Sequence, residues 1–351
     1  MTAVGSNTPE IEQRAESGRI VILGGSGFIG TRMTKLLRDQ GRAVSIGDLS
    51  RSDAFPELWA ECDVRRSESL NELLRGADVV VNLAAVHRDD VRPLSRYHET
   101  NVHGAEQVCE AARRAGVRRM VFTSSVAVYG FNPRPVDESG PFAPFNAYGE
   151  TKLQAEQAYR EWVQEDSGRT LVIVRPTVVF GENNRGNVYN LIHQIATGKF
   201  LMVGAGDNIK SIAYVGNVAA FLIHTLLLRA GTNVFNYVDG PDMQTSDLVD
   251  YIRGCLGKSG RTPRVPKSVA MTGGRIFDLA ARLSGRTYPI SAVRVQKFCE
   301  TTQFRADRMR ESGFEPPYTL KDGLARTIQF EFARGSSTDQ KRDRLIRATI
   351  D

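Results

Sequence analysis

Short apolar runs alternate with amphipathic helical stretches along most of this sequence, which predicts an α/β fold with a doubly wound parallel sheet. A glycine-rich turn follows the first apolar run, at residues 24–30, and later runs at 79–85 and 121–125 end in small or hydroxyl side chains. Sheets of this kind bind ligands at the carboxyl ends of their strands. We therefore expect a site at that edge, covered by a smaller C-terminal lobe.

The composition excludes several classes of protein. The chain has 351 residues, of which 41% are hydrophobic and 25% charged, as in an ordinary folded protein. The four cysteines are widely spaced and the five histidines form no metal-binding motif, so we expect reduced thiols and no metal. The N-terminus does not resemble a secretion signal, and no apolar run approaches the ~18 residues that span a bilayer. The sequence predicts a cytoplasmic protein.

The first strand and helix frame a predicted dinucleotide site of the Rossmann type. Residues 19–23 are an apolar run, and residues 31–40 have helical spacing. Gly24, Gly27 and Gly30 between them allow a tight turn, the approach of a pyrophosphate to the helix N-terminus, and close packing of helix on strand.

The second strand, at residues 43–48, ends in Asp48. A carboxylate at this position can accept hydrogen bonds from an adenosine ribose and disfavours a 2′-phosphate. The cofactor that the sequence predicts is therefore NAD, in preference to NADP.

The remaining elements follow the same alternation. We expect helices at 67–75, 96–116, from 148 onward, and at 191–196 and 218–228, and strands at 79–85, 121–125, 171–175, 199–204, 211–215 and 234–238. The predicted NAD-binding domain comprises residues 19–182 plus about 211–239, and the substrate-binding lobe comprises residues 183–210 plus 240–333. Residues 1–18 are predicted to be disordered, and residues 334–351 to form a mobile tail.

Tyr148 and Lys152 are the predicted centre of the chemistry. Residues four apart on a helix share a face, so an ammonium group at Lys152 can lower the phenol pKa of Tyr148, which is ordinarily about 10. A tyrosine tuned in this way can act as a general base. Ser125 ends the strand 23 residues earlier, and its hydroxyl can share a substrate oxygen with the phenol.

These motifs resemble those of the extended short-chain dehydrogenase/reductases, the NAD-dependent nucleotide-sugar epimerases and dehydratases. The resemblance extends from Arg19 to about Phe332. It implies that Ser125 orients the substrate hydroxyl, that Tyr148 is the base, and that Lys152 binds the nicotinamide ribose. Besides the residues already named, it is carried by Asp63-Val64, Asn82-Leu83-Ala84-Ala85, Asn101-Val102, residues 124–130 and Arg175-Pro176.

The resemblance also implies which residues bind the ligands. The NAD-binding residues are Gly24, Gly27, Phe28, Ile29, Gly30, Asp48, Asp63, Val64, Leu83, Ala84, Ala85, Asn101, Tyr148 and Lys152. The substrate-binding residues are Ser125, Asn187, Lys210 and Arg294. Lys210 stands where many relatives have arginine, and Asn217 where many have aspartate, so the phosphate contacts differ from the usual pattern.

The chemistry leaves two outcomes open. An alcohol can be oxidised once, as in a dehydrogenase, or the ketone can be reduced again on its opposite face, as in an epimerase. Related dehydratases carry an Asp-Glu pair after the position of Ser125. Val126 and Ala127 offer no carboxylate there, which argues against a dehydratase.

Longer stretches resemble a bacterial subgroup that epimerises undecaprenyl-diphosphate-linked N-acetylglucosamine to the N-acetylgalactosamine form for O-antigen assembly. This resemblance predicts a polyprenyl-diphosphate-sugar 4-epimerase. The alternatives are a soluble UDP-glucose or UDP-N-acetylglucosamine 4-epimerase and a non-enzymatic NAD-binding sensor, although the intact Ser125, Tyr148 and Lys152 set argues against a sensor. His87 is interpreted as a partly buried structural histidine, with a second catalytic base as the alternative. The stretches are residues 87–91, 185–191, 203–206, 213–217 and 295–304.

Positive charge is concentrated in one region. The net charge is +6, and residues 261–310 contain eleven lysines and arginines but three acidic residues. On a helix at 275–286, Ile276, Leu279, Ala280 and Leu283 would share one side. We expect peripheral contact with the inner face of the cytoplasmic membrane, with packing of this side against the lobe as the alternative. We expect no nucleic-acid partner, and the resemblance implies a homodimer formed through helices at 96–116 and 146–166.

Overall fold

A computed structural model describes residues 18–88, 91–131, 134–284 and 292–332. A seven-stranded, fully parallel sheet forms its centre. Its strands are β1 (Ile20–Leu23), β2 (Val44–Asp48), β3 (Trp59–Glu61), β4 (Val79–Asn82), β5 (Arg119–Thr123), β6 (Thr170–Pro176) and β11 (Gly231–Tyr237). They lie side by side in the order β11-β6-β5-β4-β1-β2-β3, which confirms the predicted doubly wound α/β fold.

The order of the strands reverses between β1 and β4. Leu23 at the end of β1 is in register with Gly47 of β2 on one side and Asn82 of β4 on the other. The connections from β1 and β4 leave in opposite directions, which opens a crevice at their carboxyl ends. The glycine turn and the segment after Asn82 therefore flank the place where a dinucleotide binds in such sheets.

Helices cover both faces of the sheet. Three short segments have other helical geometry: a π-helical segment at His98–His103 and 3₁₀ turns at Val126–Tyr129 and Thr225–Leu227. The helices are α1 (Phe28–Asp39), α2 (Ser67–Leu73), α3 (Ser95–Tyr97), α4 (Gly104–Ala115), α5 (Ala147–Gln164), α6 (Asn187–Ala196), α7 (Val215–His224), α8 (Thr245–Cys255), α9 (Lys267–Ser284), α10 (Ala292–Cys299), α11 (Asp307–Glu311) and α12 (Leu320–Phe332).

Two apolar cores lie on the two faces of the sheet. Side chains from α2, α4 and α5 pack on one face, and side chains from α1 and α7 pack on the other. β1 is buried at every residue, as expected of a central parallel strand covered on both sides. Ala306 and Met309 pack in the second of these cores, although residue 306 and α11 fall in the range predicted for the lobe.

A third core belongs to the smaller lobe. Ile192 of α6, Val249 of α8 and Leu324 of α12 pack together in it with Tyr214 and Phe28. Phe28 follows the glycine turn, so the lobe core directly contacts the predicted cofactor loop. The short strands outside the main sheet pair as β7 (Val178–Phe180) with β10 (Ile212–Tyr214), β8 (Met202–Val203) with β13 (Arg264–Val265), and β9 (Ile209–Lys210) with β12 (Met243–Gln244).

Of residues 1–18, which are predicted to be disordered, all but Gly18 lie outside the described residues, as does the predicted mobile tail at 334–351. In the part of the chain that is described, none of the helices is both long enough and apolar enough to cross a bilayer.

Candidate active site

The glycine turn forms a cradle of backbone at the end of β1. Gly24 has a φ of +75°, and a Cβ atom there would lie 2.7 Å from the backbone nitrogen of Ala84. A Cβ atom on Gly30 would lie 2.6 Å from Cα of Gly25. Gly27 caps α1 without a side-chain hydrogen bond, so the first backbone N–H groups of α1 point toward the crevice. These features fit the pyrophosphate of a dinucleotide.

Asp48 lies beside this turn. Its carboxylate accepts hydrogen bonds from the backbone nitrogen of Ser26 at 3.1 Å and from that of Ser50 at 3.0 Å. The carboxylate is thereby fixed at the end of β2, next to the glycine turn, where the ribose of NAD would require it.

Asp63 and Val64 follow β3 on the same edge of the sheet. Arg65 donates three hydrogen bonds to Asp63 from its side chain, at 2.6, 2.8 and 3.1 Å, and holds the pKa of that carboxyl below its usual range. Val64 is buried in the core beneath α2 and α4. Both residues therefore lie at the carboxyl-end edge of the sheet, and their binding of NAD stays a prediction.

The segment after β4 is held by two asparagines. Asn82 accepts a hydrogen bond from the nitrogen of Ala84 at 2.9 Å and donates one to the hydroxyl of Tyr159 at 2.6 Å. Asn101, buried in the π-helical segment, accepts from the nitrogen of Val86 at 2.8 Å and donates to its carbonyl oxygen at 3.0 Å. These bonds fix the backbone of residues 83–86 against the crevice.

Asn101 also contacts the catalytic helix. Its amide lies 3.0 Å from the hydroxyl of Thr151, which donates to the carbonyl oxygen of Ala147 at 2.7 Å. The side chain of Asn101 thus bridges the segment after β4 and the start of α5, and its binding of NAD stays a prediction.

Ser125 leaves the end of β5 and begins the 3₁₀ turn. Its hydroxyl accepts a hydrogen bond from the backbone nitrogen of Ala127 at 3.1 Å, and its side chain is half-buried. The hydroxyl hydrogen is not used in that bond, so it can be donated to a substrate oxygen.

Tyr148 is the second residue of α5, in the turn that Asn146 caps by accepting a hydrogen bond from Gly149 at 2.9 Å. A Cβ atom on Gly149 would lie 2.5 Å from the carbonyl oxygen of Ala127. Only a residue without a side chain allows this approach, and the approach places the start of α5 against the turn that follows Ser125. The structure therefore brings the segments bearing Ser125 and Tyr148 together.

Lys152 is one turn further along α5, and its side chain is buried. Its amino group donates to the carbonyl oxygen of Thr123 at 2.8 Å and lies 4.6 Å from the ring centre of Phe122. Burial lowers the pKa of the Lys152 ammonium to about 7, and the carboxylate of Glu156 opposes that shift. The predicted lowering of the Tyr148 pKa would thus depend on a lysine that changes its protonation state near neutral pH.

The predicted substrate-binding residues are distributed over the lobe. Asn187 is exposed at the first position of α6. Lys210 lies in β9, where it donates to the carbonyl oxygen of Glu300, and burial lowers its pKa to about 8. Arg294 falls within α10, but its side chain lies outside the described residues.

Two further sequence interpretations receive an answer. His87 is exposed, so the interpretation of a partly buried structural histidine is wrong; the segment after Val86 leaves the sheet and reaches the surface. Asn217 is fully buried and donates to Asp239 at 3.0 Å and to the carbonyl oxygen of Tyr318 at 2.8 Å. Asn217 therefore connects α7 to the segment before α12.

Sequence reasoning missed one residue at the site. Glu156 lies one turn beyond Lys152 and forms a buried ion pair with Arg175, with 2.6 Å between the charged groups. The signal is present in the sequence, since residues 148, 152 and 156 share one helical face, but an acidic side chain is not expected on a buried face.

Comparisons with known proteins identify relatives of this chain. Residues 20–236 match the model of the NAD dependent epimerase/dehydratase family. A relative from Escherichia coli O157:H7, the N-acetyl-alpha-D-glucosaminyl-diphospho-ditrans,octacis-undecaprenol 4-epimerase, is 47% identical over 91% of this chain and 97% of its own. A UDP-glucose 4-epimerase from Vibrio cholerae is 27% identical over 88% of this chain and 94% of its own.

A solved structure shares the fold. UDP-N-acetylglucosamine 4-epimerase from Methanobrevibacter ruminantium M1 superposes with a TM-score of 0.71, at 22% identity, over 89% of this chain and 97% of the other. The family match covers the sheet, the glycine cradle, Ser125, Tyr148 and Lys152, and the family's cofactor is NAD. The chain therefore belongs to the NAD dependent epimerase/dehydratase family.

Proposed function

We propose that this protein is an NAD-dependent 4-epimerase that interconverts polyprenyl-diphosphate-linked N-acetylglucosamine and N-acetylgalactosamine for O-antigen or related surface polysaccharides. The observation that carries the proposal is the Ser125, Tyr148 and Lys152 set beside the glycine cradle, together with 47% identity to an undecaprenol-linked sugar 4-epimerase over nearly the whole chain.

The chemistry follows from the residues. Tyr148 takes the proton of the sugar 4-hydroxyl, Ser125 donates a hydrogen bond to the same oxygen, and the Lys152 ammonium favours the phenolate form of Tyr148. Bound NAD supplies the hydride acceptor and donor for the sugar carbon. In the second half of the reaction Tyr148 returns its proton to the oxygen of the 4-keto sugar. One tyrosine can serve both halves because the proton is only stored between them.

The glycosyl diphosphate would bind across the lobe. Asn187 offers an exposed amide at a helix N-terminus, where backbone N–H groups favour an anion, and Lys210 and Arg294 would add positive charge. Burial lowers the pKa of Lys210 only to about 8, so its ammonium would remain mostly protonated at neutral pH and could contribute to binding the diphosphate.

A lipid-linked substrate requires contact with a membrane surface, and α9 supports such a contact. Val269 is 59% exposed and Ile276 63% exposed, and the two lie two turns apart on the same face of α9. The basic residues Lys267 and Arg275 are exposed beside them. The alternative, that this side packs against the lobe, does not account for an exposed Ile276, while the side chains of Leu279, Ala280 and Leu283 lie outside the described residues. We therefore propose reversible, peripheral attachment to the inner face of the cytoplasmic membrane.

A homodimer is the second partner that we propose, formed through α4 and α5. These helices lie side by side on one face of the sheet. The outward positions of α5 are polar, so such an interface would be polar as well. Light scattering of the purified protein measures its molar mass and therefore tests whether it is a dimer. The outward residues are Glu150, Gln154, Gln157 and Glu161.

The substrate is tested by incubating the enzyme with UDP-N-acetylglucosamine and, in parallel, with polyprenyl-diphosphate-linked N-acetylglucosamine, followed by sugar analysis. We expect N-acetylgalactosamine from the lipid-linked substrate with a kcat/KM at least tenfold higher. Conversion of the UDP-sugar with equal or higher kcat/KM supports the soluble 4-epimerase instead. Conversion of neither, with NAD bound, contradicts both.

A further inference from the structure

A buried carboxylate lies directly behind the catalytic lysine. Glu156 follows Lys152 by one turn of α5, and its side chain is 1% exposed. One carboxylate oxygen accepts hydrogen bonds from the hydroxyl of Ser124 at 2.6 Å and from Nε of Arg175 at 2.8 Å. The other accepts from Nη2 of Arg175 at 2.6 Å. All of these groups are buried, so their positions are fixed by the core.

The groups near Lys152 belong to β5, α5 and β6, and those of α5 and β6 carry the charges. β5 contributes the Thr123 carbonyl and the Phe122 ring, which carry no net charge. α5 contributes Glu156 and, at its edge, Arg160, whose Nη2 lies 3.7 Å from the Glu156 carboxylate. β6 contributes Arg175, which is fully buried. Lys152 and Glu156 are thus buried one turn apart on α5, and the Glu156 carboxylate is paired with the buried Arg175.

This arrangement is asymmetric. Arg175 has further partners, because it donates to the hydroxyl of Tyr129 at 2.5 Å and its guanidinium lies 4.9 Å from the ring centre of Phe142. For Lys152, Glu156 is the carboxylate in the described part of the chain that opposes the cost of burying its charge. A buried cation without such a partner loses its proton to water.

We propose that Glu156 is a positioning residue of the reaction, which keeps Lys152 charged so that Lys152 can act on Tyr148. The role rests on the proposed function of Tyr148 as the base. A second effect follows from the same contacts, since the Ser124 hydroxyl is tied to Glu156 and its neighbour Ser125 is thereby held in place. Glu156 touches neither substrate nor cofactor in this role.

Glu156→Gln tests the proposal, because glutamine keeps the shape and an acceptor for Ser124 but removes the charge. Lysine labelled with ¹³C at Cε reports protonation of Lys152 by NMR without any sugar, once the signal is assigned by its loss in Lys152→Ala. We expect the pKa of Lys152 to fall by at least about one unit, a tenfold loss of proton affinity. Glu161→Gln, on the exposed side of the same helix, is the matched control and should leave the pKa unchanged.

The paired variant Glu156→Gln/Arg175→Gln guards against misfolding of the single variant, since it leaves no unpaired guanidinium in the core. The pKa of Lys152 should be lower in the paired variant than in Arg175→Gln, which differs from it only in keeping the carboxylate. An unchanged pKa of Lys152 in Glu156→Gln, or equal values in the paired variant and Arg175→Gln, would overturn the proposal. As the titration needs no substrate, a wrong sugar assignment leaves its result intact.

The rate profile supplies a second readout. In Glu156→Gln the alkaline limb of kcat should move to lower pH by the same amount as the Lys152 titration. A kcat that falls equally at every pH would mean that Glu156 acts through packing alone, and would contradict the proposed electrostatic role.

Discussion

The amino group of Lys152 lies 2.8 Å from the carbonyl oxygen of Thr123, the last residue of β5. This hydrogen bond fastens the catalytic helix to the strand that leads into Ser125. Lys152, on the helix that carries Tyr148, is therefore held at the end of the strand that leads into Ser125.

Tyr148→Phe should retain the fold and bound NAD but lower kcat by about 100- to 10,000-fold, because the proton-accepting oxygen is the only group removed. The loss should appear in kcat and kcat/KM together. Tyr251→Phe removes a hydroxyl that donates to the carbonyl oxygen of Lys321, far along the chain, and should keep wild-type kcat. Near-normal turnover by Tyr148→Phe would remove Tyr148 from the mechanism.

Lys152 should make the stability of the cofactor-free protein depend on pH. Its pKa is about 7 in the folded protein and near 10.5 when unfolded, so between these values only the unfolded chain binds the proton. The free energy of unfolding therefore rises with pH in this window, by up to about 1.4 kcal/mol per unit for one proton.

Urea unfolding at pH 7, 8 and 9 measures this slope. Lys152→Met should show a smaller slope than the wild type, while Lys199→Met, at an exposed position, should keep it. Equal slopes for wild type and Lys152→Met would mean that Lys152 is not buried in its charged form at the cost described.

Gly149→Ala should displace the start of α5. Its Cβ atom would lie 2.5 Å from the Ala127 oxygen and 3.0 Å from Cβ of Pro144, so the helix must move away from the turn after Ser125. A shift of this kind beside Tyr148 should lower kcat by about 100-fold. Gly254→Ala in α8, where a Cβ atom meets open space, should keep kcat and stabilise the protein by up to about 1 kcal/mol. Wild-type kcat in Gly149→Ala would contradict the close packing.

The face of α9 that exposes Val269 and Ile276, with Lys267 and Arg275 beside them, should bind anionic membranes. We expect flotation with vesicles of phosphatidylglycerol and phosphatidylcholine at low salt, and much less with pure phosphatidylcholine or at high salt. Lys267→Glu/Arg275→Glu should weaken binding about tenfold or more, at about 1 kcal/mol for each basic residue. Arg51→Glu/Arg229→Glu, at exposed positions elsewhere, is the charge-matched control. Equal flotation of both double variants would remove α9 from the membrane contact.

Much of the fold follows from local patterns. β1, the glycine turn and Asp48 could be predicted because each is specified by consecutive residues: an apolar run, glycines where a Cβ atom would clash, and an acid at a strand end. That Tyr148 and Lys152 share one helical face follows from their spacing alone. Their proximity to Ser125 cannot be predicted in this way, since it depends on Gly149 approaching Ala127 across the intervening loop.

Other parts could not be predicted because they depend on tertiary contacts. The partner of Lys152 is the carbonyl oxygen of Thr123, and the partner of Glu156 is Arg175, a residue that the sequence marks only as the start of a family motif. His87 was misjudged because no local pattern distinguishes a histidine that leaves the sheet for the surface from one that turns back into the core.

The most direct test of the account follows the hydrogen at C4 of the sugar. Substrate labelled with deuterium at C4 is converted over many turnovers in ordinary water, without added NADH, and the product is analysed for label. The account predicts that the product keeps its deuterium at C4, because the hydride that leaves this carbon returns to it within the same site while only the hydroxyl proton passes through Tyr148. Loss of the label to solvent would contradict transient oxidation at C4.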